Sequence, residues 1–494
     1  MKKLLIATAL AGAILVPQMA LATNHNHSVT FAQRLEPPGL DPRTGAAAAI
    51  SLTTLYNVYE GLTRIDETGA VQPALAESWA ISDDGLTYTF KLAEGVKFHD
   101  GADFDSSDVK YTFEANAAED SQNKRKDRFE VMESIETPDA NTVVIKLKER
   151  RPDLLEQLGE STAVIVDPAS DATNATQPVG TGPYKLDSWT KGDSIKLSAA
   201  DTYRDKDNVA IKNVTIRFIG DGTARLAALL SGDVDATDIP TELLSSDSLK
   251  QDFDVVVGNT NGEVVLSTNN ANEALSKLKV RQAIAHAINR QEIIDGAMFG
   301  YGTPIGSHFA PHHPDYVDLT NTYPYDPELS KKLLAEAGYP DGLELSLKLP
   351  PVDNYARQGG QIVASQLEKA GFKIKIENVD WPKWLDEVYK KKNYDLSIVA
   401  HVEPMDIGIY AREGYYFNYN NPKFNEVVAA AESAATPAER TELLQTAQKI
   451  LAEDAVNGYL FQFPRIYVVR KGLNGVWQDL PLFATDVARM SWSN

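Results

Sequence analysis

Leu75-Ala-Glu-Ser-Trp79-Ala-Ile-Ser-Asp83-Asp84-Gly85-Leu-Thr-Tyr88-Thr-Phe90-Lys-Leu92-Ala-Glu-Gly95-Val96-Lys-Phe98-His99-Asp100-Gly101-Ala-Asp-Phe104-Asp-Ser-Ser-Asp108 is the stretch that decides how this chain is read. Asp84-Gly85 is a tight-turn pair, because Asp tolerates and Gly favours left-handed backbone. Behind it Tyr88, Phe90 and Leu92 alternate with a period of two, which predicts a half-buried strand over 86–92. Gly95 and Asp100-Gly101 break the chain twice more, and Ser107 or Asp108 is placed to accept from the free amides of a helix over 109–116. A hairpin and a helix start are what these residues specify; nothing in them is catalytic.

The whole chain has 494 residues, more than one hydrophobic core usually serves, so at least two lobes are expected. Its N-terminus differs from everything after it: Lys2-Lys3, an apolar run from Leu4 to Val16, the helix-breaking Pro17, and a small-x-small step at Ala20-Leu21-Ala22. That pattern predicts a signal peptide over 1–22, cleaved after Ala22, with export to the periplasm. The run falls short of the ~20 apolar residues a membrane span requires. The absence of cysteine excludes disulfides and also a lipid-bearing Cys anchor. The formal charge of −21 becomes more negative once Lys2 and Lys3 are removed. Such a field repels nucleic acid and anionic membrane surfaces, so neither is an expected partner.

In chain order, 28–34 reads as a strand, and Glu36-Pro-Pro-Gly-Leu40-Asp41-Pro42 as an extended turn. A helix is predicted over 52–59, ending at Glu60-Gly61. From Pro73 to about Pro178 strands and short helices alternate, forming an α+β unit. Gly180-Thr-Gly-Pro-Tyr184 is a rigid turn feeding a strand, followed by strands over 194–198 and 214–218 and a helix over 224–230 stopped by Gly232. A strand-rich segment over 255–270 precedes a strongly helical one over 280–299. Asp326 and Pro327 open a helix that Gly338 closes. A strand (343–349), helix (358–370) and strand (372–377) then form a βαβ-like unit, with a further strand over 394–399. Helices over 422–435 and 438–454 and a strand over 459–463 follow, and 467–470 leads the chain back.

Three strings carry a resemblance: Leu40-Asp41-Pro42 with Tyr56-Asn-Val-Tyr59-Glu60-Gly61-Leu62, the opening stretch, and Tyr325-Asp-Pro-Glu328 to Ala337-Gly338-Tyr339-Pro340-Asp341-Gly342. Together they resemble the peptide/nickel class (family 5, cluster C) of extracytoplasmic solute-binding proteins of ABC importers, from about Leu40 to the C-terminus. The resemblance implies an α/β, type II two-lobe periplasmic-binding-protein fold with an extra α+β subdomain in the first lobe. Residues 23–72, 179–265 and 473–494 would form the first lobe's core, 73–178 the extra subdomain, and 266–472 the second lobe. It also implies a monomer that delivers a small-molecule or peptide ligand to permease subunits of the inner membrane, without a cofactor.

By the same resemblance, Gly45, Ala46 and Ala48 match a segment lining the first-lobe wall, where small residues admit backbone close to ligand. Asn261, Gly262 and Glu263 match the edge leading into the hinge. Trp381 matches a cleft-facing aromatic, whereas Trp384 is read as core. In peptide-binding relatives the strand over 394–399 is followed by an aromatic and an Asp that pairs with the peptide's amino terminus. Here Ala400-His401-Val402-Glu403-Pro404-Met405-Asp406 puts His401 in the aromatic's place and lacks that Asp. Glu403 or Asp406 is a candidate substitute, and either is equally an ordinary loop acid. Tyr410, Tyr415, Tyr416, Phe417 and Tyr419 form an aromatic cluster suited to peptides and sugars; Tyr415 is taken as the substrate-facing member, with others in the core.

Metal and catalytic chemistry find little support in spacing. Pro311 prevents the regular helix that would put His308 and His312 on one face, so a structural or solvated loop is expected there and no metal site is assigned. His25 and His27 lie in the mature N-terminus, His286 on an apolar helix face, and His99 in the opening motif. No nucleophile elbow, zincin motif, phosphate loop or dinucleotide fingerprint occurs. The expected function is reversible capture of a polar solute, with an oligopeptide or peptide-like compound favoured. An opine-like or sugar-conjugate solute is the alternative, with a metal chelate behind it. A periplasmic hydrolase of peptides or glycans is the rival of another class.

Overall fold

The computed structural model describes residues 27–45, 47–244, 247–351, 353–402 and 406–493. The predicted signal peptide, Ala46 and Glu403 lie outside these residues.

One sheet runs the length of the molecule. Its spine is a pair of long antiparallel strands, Phe253–Thr268 and Gly458–Arg470. On one side the spine continues through Leu396–His401, Leu343–Leu349 and Phe372–Asn378, the last two parallel as the βαβ reading requires. On the other it continues through Ala236–Asp238, Ser28–Gln33, Asn213–Phe218, Ser194–Ala199 and Tyr184–Thr190. The register shifts between Asn259 and Glu263, so that Thr260 to Gly262 have no strand partner on Gly458–Arg470 while Pro464 and Gln462 stand only two residues apart opposite them. Separate apolar cores lie to either side: Leu266, Ile284, Leu347 and Phe461 belong to one, Phe31, Tyr184, Val214 and Trp477 to another.

A four-stranded antiparallel sheet stands apart, in the order Ala76–Ile81, Thr87–Leu92, Thr142–Leu147, Met132–Asp139. The hairpin forms where Asp84-Gly85 predicts it, with Gly85 at φ +68°. Tyr88, Phe90 and Leu92 turn inward onto Phe113 of the helix Ser106–Ala117. That helix starts earlier than expected. Asp105, not Ser107 or Asp108, is the N-cap, and Asp108 returns a bond to the Asp105 amide, completing a capping box.

The motif strings converge where this unit joins the long sheet. The Gly180 amide donates to His99 Nδ1 (3.3 Å), His99 Nε2 lies 2.9 Å from the Gly182 carbonyl, and the Gly182 amide donates to the Val58 carbonyl. A Cβ on Gly180 would stand 2.0 Å from the Val58 oxygen, which is why only glycine fits. Beside it Glu60 accepts both arms of Arg204 at 2.7 Å and the Thr181 hydroxyl at 3.0 Å. The helix predicted over 52–59 is Ala48–Thr54; the chain then turns sharply, with Tyr56 at φ +62°, to bring Val58 and Glu60 into this junction. The segment 280–299 is likewise two helices, Leu278–Ala287 and Arg290–Met298, parted at Ile288-Asn289, where Asn289 caps the second.

Candidate functional site

The cleft lies over the register shift of the two long strands. Thr260 and Asn261, held by the Phe463 and Pro481 carbonyls, form its floor. A cavity of about 540 Å³ opens above them, within the ~300–1,000 Å³ usual for small-molecule sites. Its walls come from both sides of the sheet: Ala48 and Leu52 of the first helix and Asp238 to Glu242 on one, Met298, Asn354 and Val402 on the other. Asn354 Nδ2 donates to Glu242 Oε2 at 2.9 Å, closing the mouth across the two walls.

Three arginines line the cavity, Arg34, Arg225 and Arg465. Arg225 is committed to the carbonyls of Ile219, Gly220 and Asp238 and to the Asp238 carboxylate. Arg465 is different. Its Cζ lies 4.9 Å from the Tyr467 ring centroid, and its buried Nη1 has no hydrogen-bond partner. Burial lowers its proton affinity, opposed by Tyr467 and Asp479, yet an arginine keeps its charge. A guanidinium so placed is a ready partner for a carboxylate.

The residues singled out from sequence fall in several places. Ala48 is on the cavity wall. Gly262 sits in the unpaired segment of the long strand, where a Cβ would meet Phe463 Cβ and Thr260 Oγ1, both at 3.0 Å. Trp381 is exposed and stacks on Trp384 with centroids 4.9 Å apart and parallel planes. Trp384 is buried, its indole donating to Ser397. Tyr415 packs on Tyr389 and Phe417; Tyr410, Tyr416 and Phe417 are core. Neither Trp381 nor Tyr415 lines the 540 Å³ cavity.

Glu263, His401 and Asp406 gather beneath the cleft floor instead, joined by His308. Glu263 and His401 are register partners on adjacent strands. His308 Nε2 is 2.6 Å from Asp406 Oδ1, and His401 Nδ1 is 3.6 Å from Asp406 Oδ2. Of the two readings of the His308 loop, structural or solvated, its side chain fits the structural one: it is 1% exposed, with Asp406 and Tyr410 supplying the polar partners its burial needs. Burial opposes ionisation of Asp406, but His308 and His401 outweigh it and hold the carboxyl well below its usual range. Burial and the nearby Asp406 push Glu263 well above the usual range, and its Oε2 has no hydrogen-bond partner.

Sequence reasoning missed Arg465 and the Leu480–Thr485 wall. Pro464 and Arg465 fall between the strand read over 459–463 and the segment 467–470, and an arginine in such a gap carries no pattern. The cue available was the pair of flanking apolar runs, which are one continuous strand.

Known proteins resemble this architecture along nearly its full length. The family model for bacterial extracellular solute-binding proteins, family 5 (middle), matches residues 70–423. The glutathione-binding protein GsiB of Salmonella typhimurium is 29% identical over 459 residues, 89% of either chain. The structure of the binding protein AgaA from A. tumefaciens R10, in complex with agropinic acid, superposes with a TM-score of 0.78 at 27% identity, covering 94% of this chain and 99% of that one. NikZ from Campylobacter jejuni, in complex with Ni(L-His), gives 0.80 at 24% identity over 94% and 99%, a likeness of fold.

Proposed function

This chain belongs to the family 5 bacterial extracellular solute-binding proteins, with their type II two-lobe fold, and from that premise we propose that its cleft captures a peptide-like solute through a carboxylate. It is a binding component of an ABC importer, working with permease components, and not an enzyme. Arg465 carries the choice of solute, as a guanidinium on the cavity wall whose Nη1 has no partner. A carboxylate bonded there satisfies a donor that burial has stripped of water, a contact worth roughly 1.5–3 kcal/mol. The relatives agree in chemistry: glutathione is a tripeptide with free carboxylates, and agropinic acid is named as an acid. An opine-like acid is accordingly the second reading.

In this reading residues 23–72, 179–265 and 473–494 form the first lobe's core, 73–178 its extra subdomain and 266–472 the second lobe. The separate apolar cores support that division, in which the two long strands would be the crossings. Solute touching both walls, with Asn354–Glu242 at the mouth, favours the closed state by its greater affinity for it. The protein acts as a monomer in the periplasm after cleavage behind Ala22, and docks on inner-membrane permease subunits. Among the described residues no helix is long and apolar enough to cross a membrane.

Isothermal titration with glutathione, unmodified tripeptides, their C-terminal amides and opine acids tests the assignment. Binding of a free acid, at least tenfold weaker binding of its amide, and a loss of about 30-fold in Arg465→Gln at unchanged melting temperature are expected. Equal affinity for acid and amide, or an indifferent Arg465→Gln, overturns it.

A further inference from the structure

Beneath the cleft floor lies a second, far smaller void of about 10 Å³, bounded by Asn261, Glu263, His308, His313 and Asp406 among others. That is room for a single water or a single ion. Nothing in solute capture through Arg465 uses it.

His308 and Asp406 from its wall, together with His401, which does not line it, form a donor set. One ligand atom each from His308, His401 and Asp406 lies within 4.8 Å of the others. His308 and His401 both turn a ring nitrogen to the Asp406 carboxylate, from opposite chain segments. Their far nitrogens are held: His308 Nδ1 is 3.2 Å from the Tyr410 hydroxyl, which Asn457 in turn supports at 2.9 Å, and His401 Nε2 is 3.0 Å from the Tyr416 hydroxyl. Two imidazoles fixed from behind by hydroxyls, with their other nitrogens converging, is the arrangement by which proteins orient metal-binding histidines.

Glu263 lies outside that 4.8 Å set but supplies a separate observation. Glu263 is 5% exposed, borders the void, and has a carboxylate oxygen without a hydrogen-bond partner. Among the described residues no lysine or arginine pairs with Glu263 or Asp406. Within the protein nothing answers the Glu263 oxygen, and a cation held among these groups would answer it.

We infer that His308, His401 and Asp406, completed by Glu263, bind one divalent transition-metal ion beneath the cleft floor. Two imidazoles and carboxylate oxygens suit Zn²⁺, Ni²⁺ or Co²⁺, and without thiolate they disfavour soft monovalent copper. The site is distinct from the solute cavity, though Asn261 borders both. A metal there would tie the strand that carries Glu263 to the loop that carries His308, one residue from the unpaired stretch of the crossing strand.

The test uses the mature chain carrying His25→Ser and His27→Ser, stripped with chelator and titrated with Zn²⁺, Ni²⁺ or Co²⁺ alone. Metal content is read by native mass spectrometry, and Co²⁺ by its visible absorption. One equivalent bound with a dissociation constant below about 1 µM is expected, weakened about 100-fold in His401→Gln and Asp406→Asn and about tenfold in Glu263→Gln. Glu263→Gln, isosteric with a protonated glutamic acid, keeps the assay valid where the other variants fail to fold. No stoichiometric metal at 10 µM, or binding indifferent to Glu263→Gln and His401→Gln, overturns the inference. Glutathione titration of the metal-free protein reads the solute site separately, so either reading can fail without the other.

Discussion

Two places in this molecule bring distant chain segments together, and they are made of different materials. At the junction of Val58, Glu60, His99 and Gly180–Tyr184, backbone meets backbone with no room for a side chain, and the charged pair Glu60–Arg204 is doubly bonded. Under the cleft, the strands are out of register, and Arg465 Nη1 and Glu263 Oε2 are buried without partners. At the first place the charged groups answer one another, with only the Tyr59 hydroxyl left over, and the contacts are backbone to backbone, which holds the fold. The second has polar atoms to spare, as a site that must accept something needs. Residues at the first should therefore govern stability and leave binding alone, and residues at the second the reverse.

The strongest challenge to that division is Gly180→Val. The new side chain enters the Val58 carbonyl, and a loss of about 3 kcal/mol is expected, read as a lowered urea midpoint, with unchanged affinity in whatever fraction stays folded. A stable variant with weakened binding would reverse the roles assigned here.

Asp108 sharpens the comparison through pH. Burial raises its pKa to about 6, reinforced by Asp105 and Asp167 against the bond from the Asp105 amide. The folded state then holds the proton more tightly than the unfolded chain, so this residue's contribution falls as pH rises from about 4 to about 6 and stays at its lower level above. Asp108→Asn, which keeps the capping acceptor, should remove that slope and stabilise the protein at pH 7 by about 1 kcal/mol, after allowance for partial solvent screening. Urea titrations at pH 4.5 and 7 measure it; parallel pH profiles for the two proteins would refute it.

The smallest effect belongs to the mouth. Asn354→Ala removes one neutral-to-carboxylate bond at a wet edge, and about threefold weaker solute binding with a melting temperature within 1 °C is expected. Calorimetry beside thermal melting decides it; a stability loss without a binding loss would make Asn354 part of the scaffold.

How much of this was legible beforehand follows the same division. Local chemistry wrote itself into the sequence: the strand at Leu343–Leu349, the Asp326 cap with Pro327 behind it, and the Gly232 stop at φ +83° all stand where residue types place them. The Leu75–Asp108 string identified the family because Gly85, Gly95 and Gly101 hold left-handed turns and His99 is held by the backbone of Gly180 and Gly182. The lower site was illegible for physical reasons. His308 and Asp406 are 98 residues apart, and only a fold brings them within 2.6 Å. Pro464 stands inside one continuous strand although a proline cannot donate within a sheet. The structure accommodates it at the register shift, where regular pairing lapses.

That shift also decides how the molecule transmits force. Apart from a smaller shift between Val264 and Val265, the two long strands pair with each other on either side of it, and Leu396–His401 and Ala236–Asp238 flank them at opposite ends. Thr260 to Gly262 are left out of that pairing and are tied instead through side chains and the Phe463 and Pro481 carbonyls. On the proposed division into lobes, opening them would bear on the few residues under the solute, so parting the lobes and loosening the cargo would be a single mechanical event.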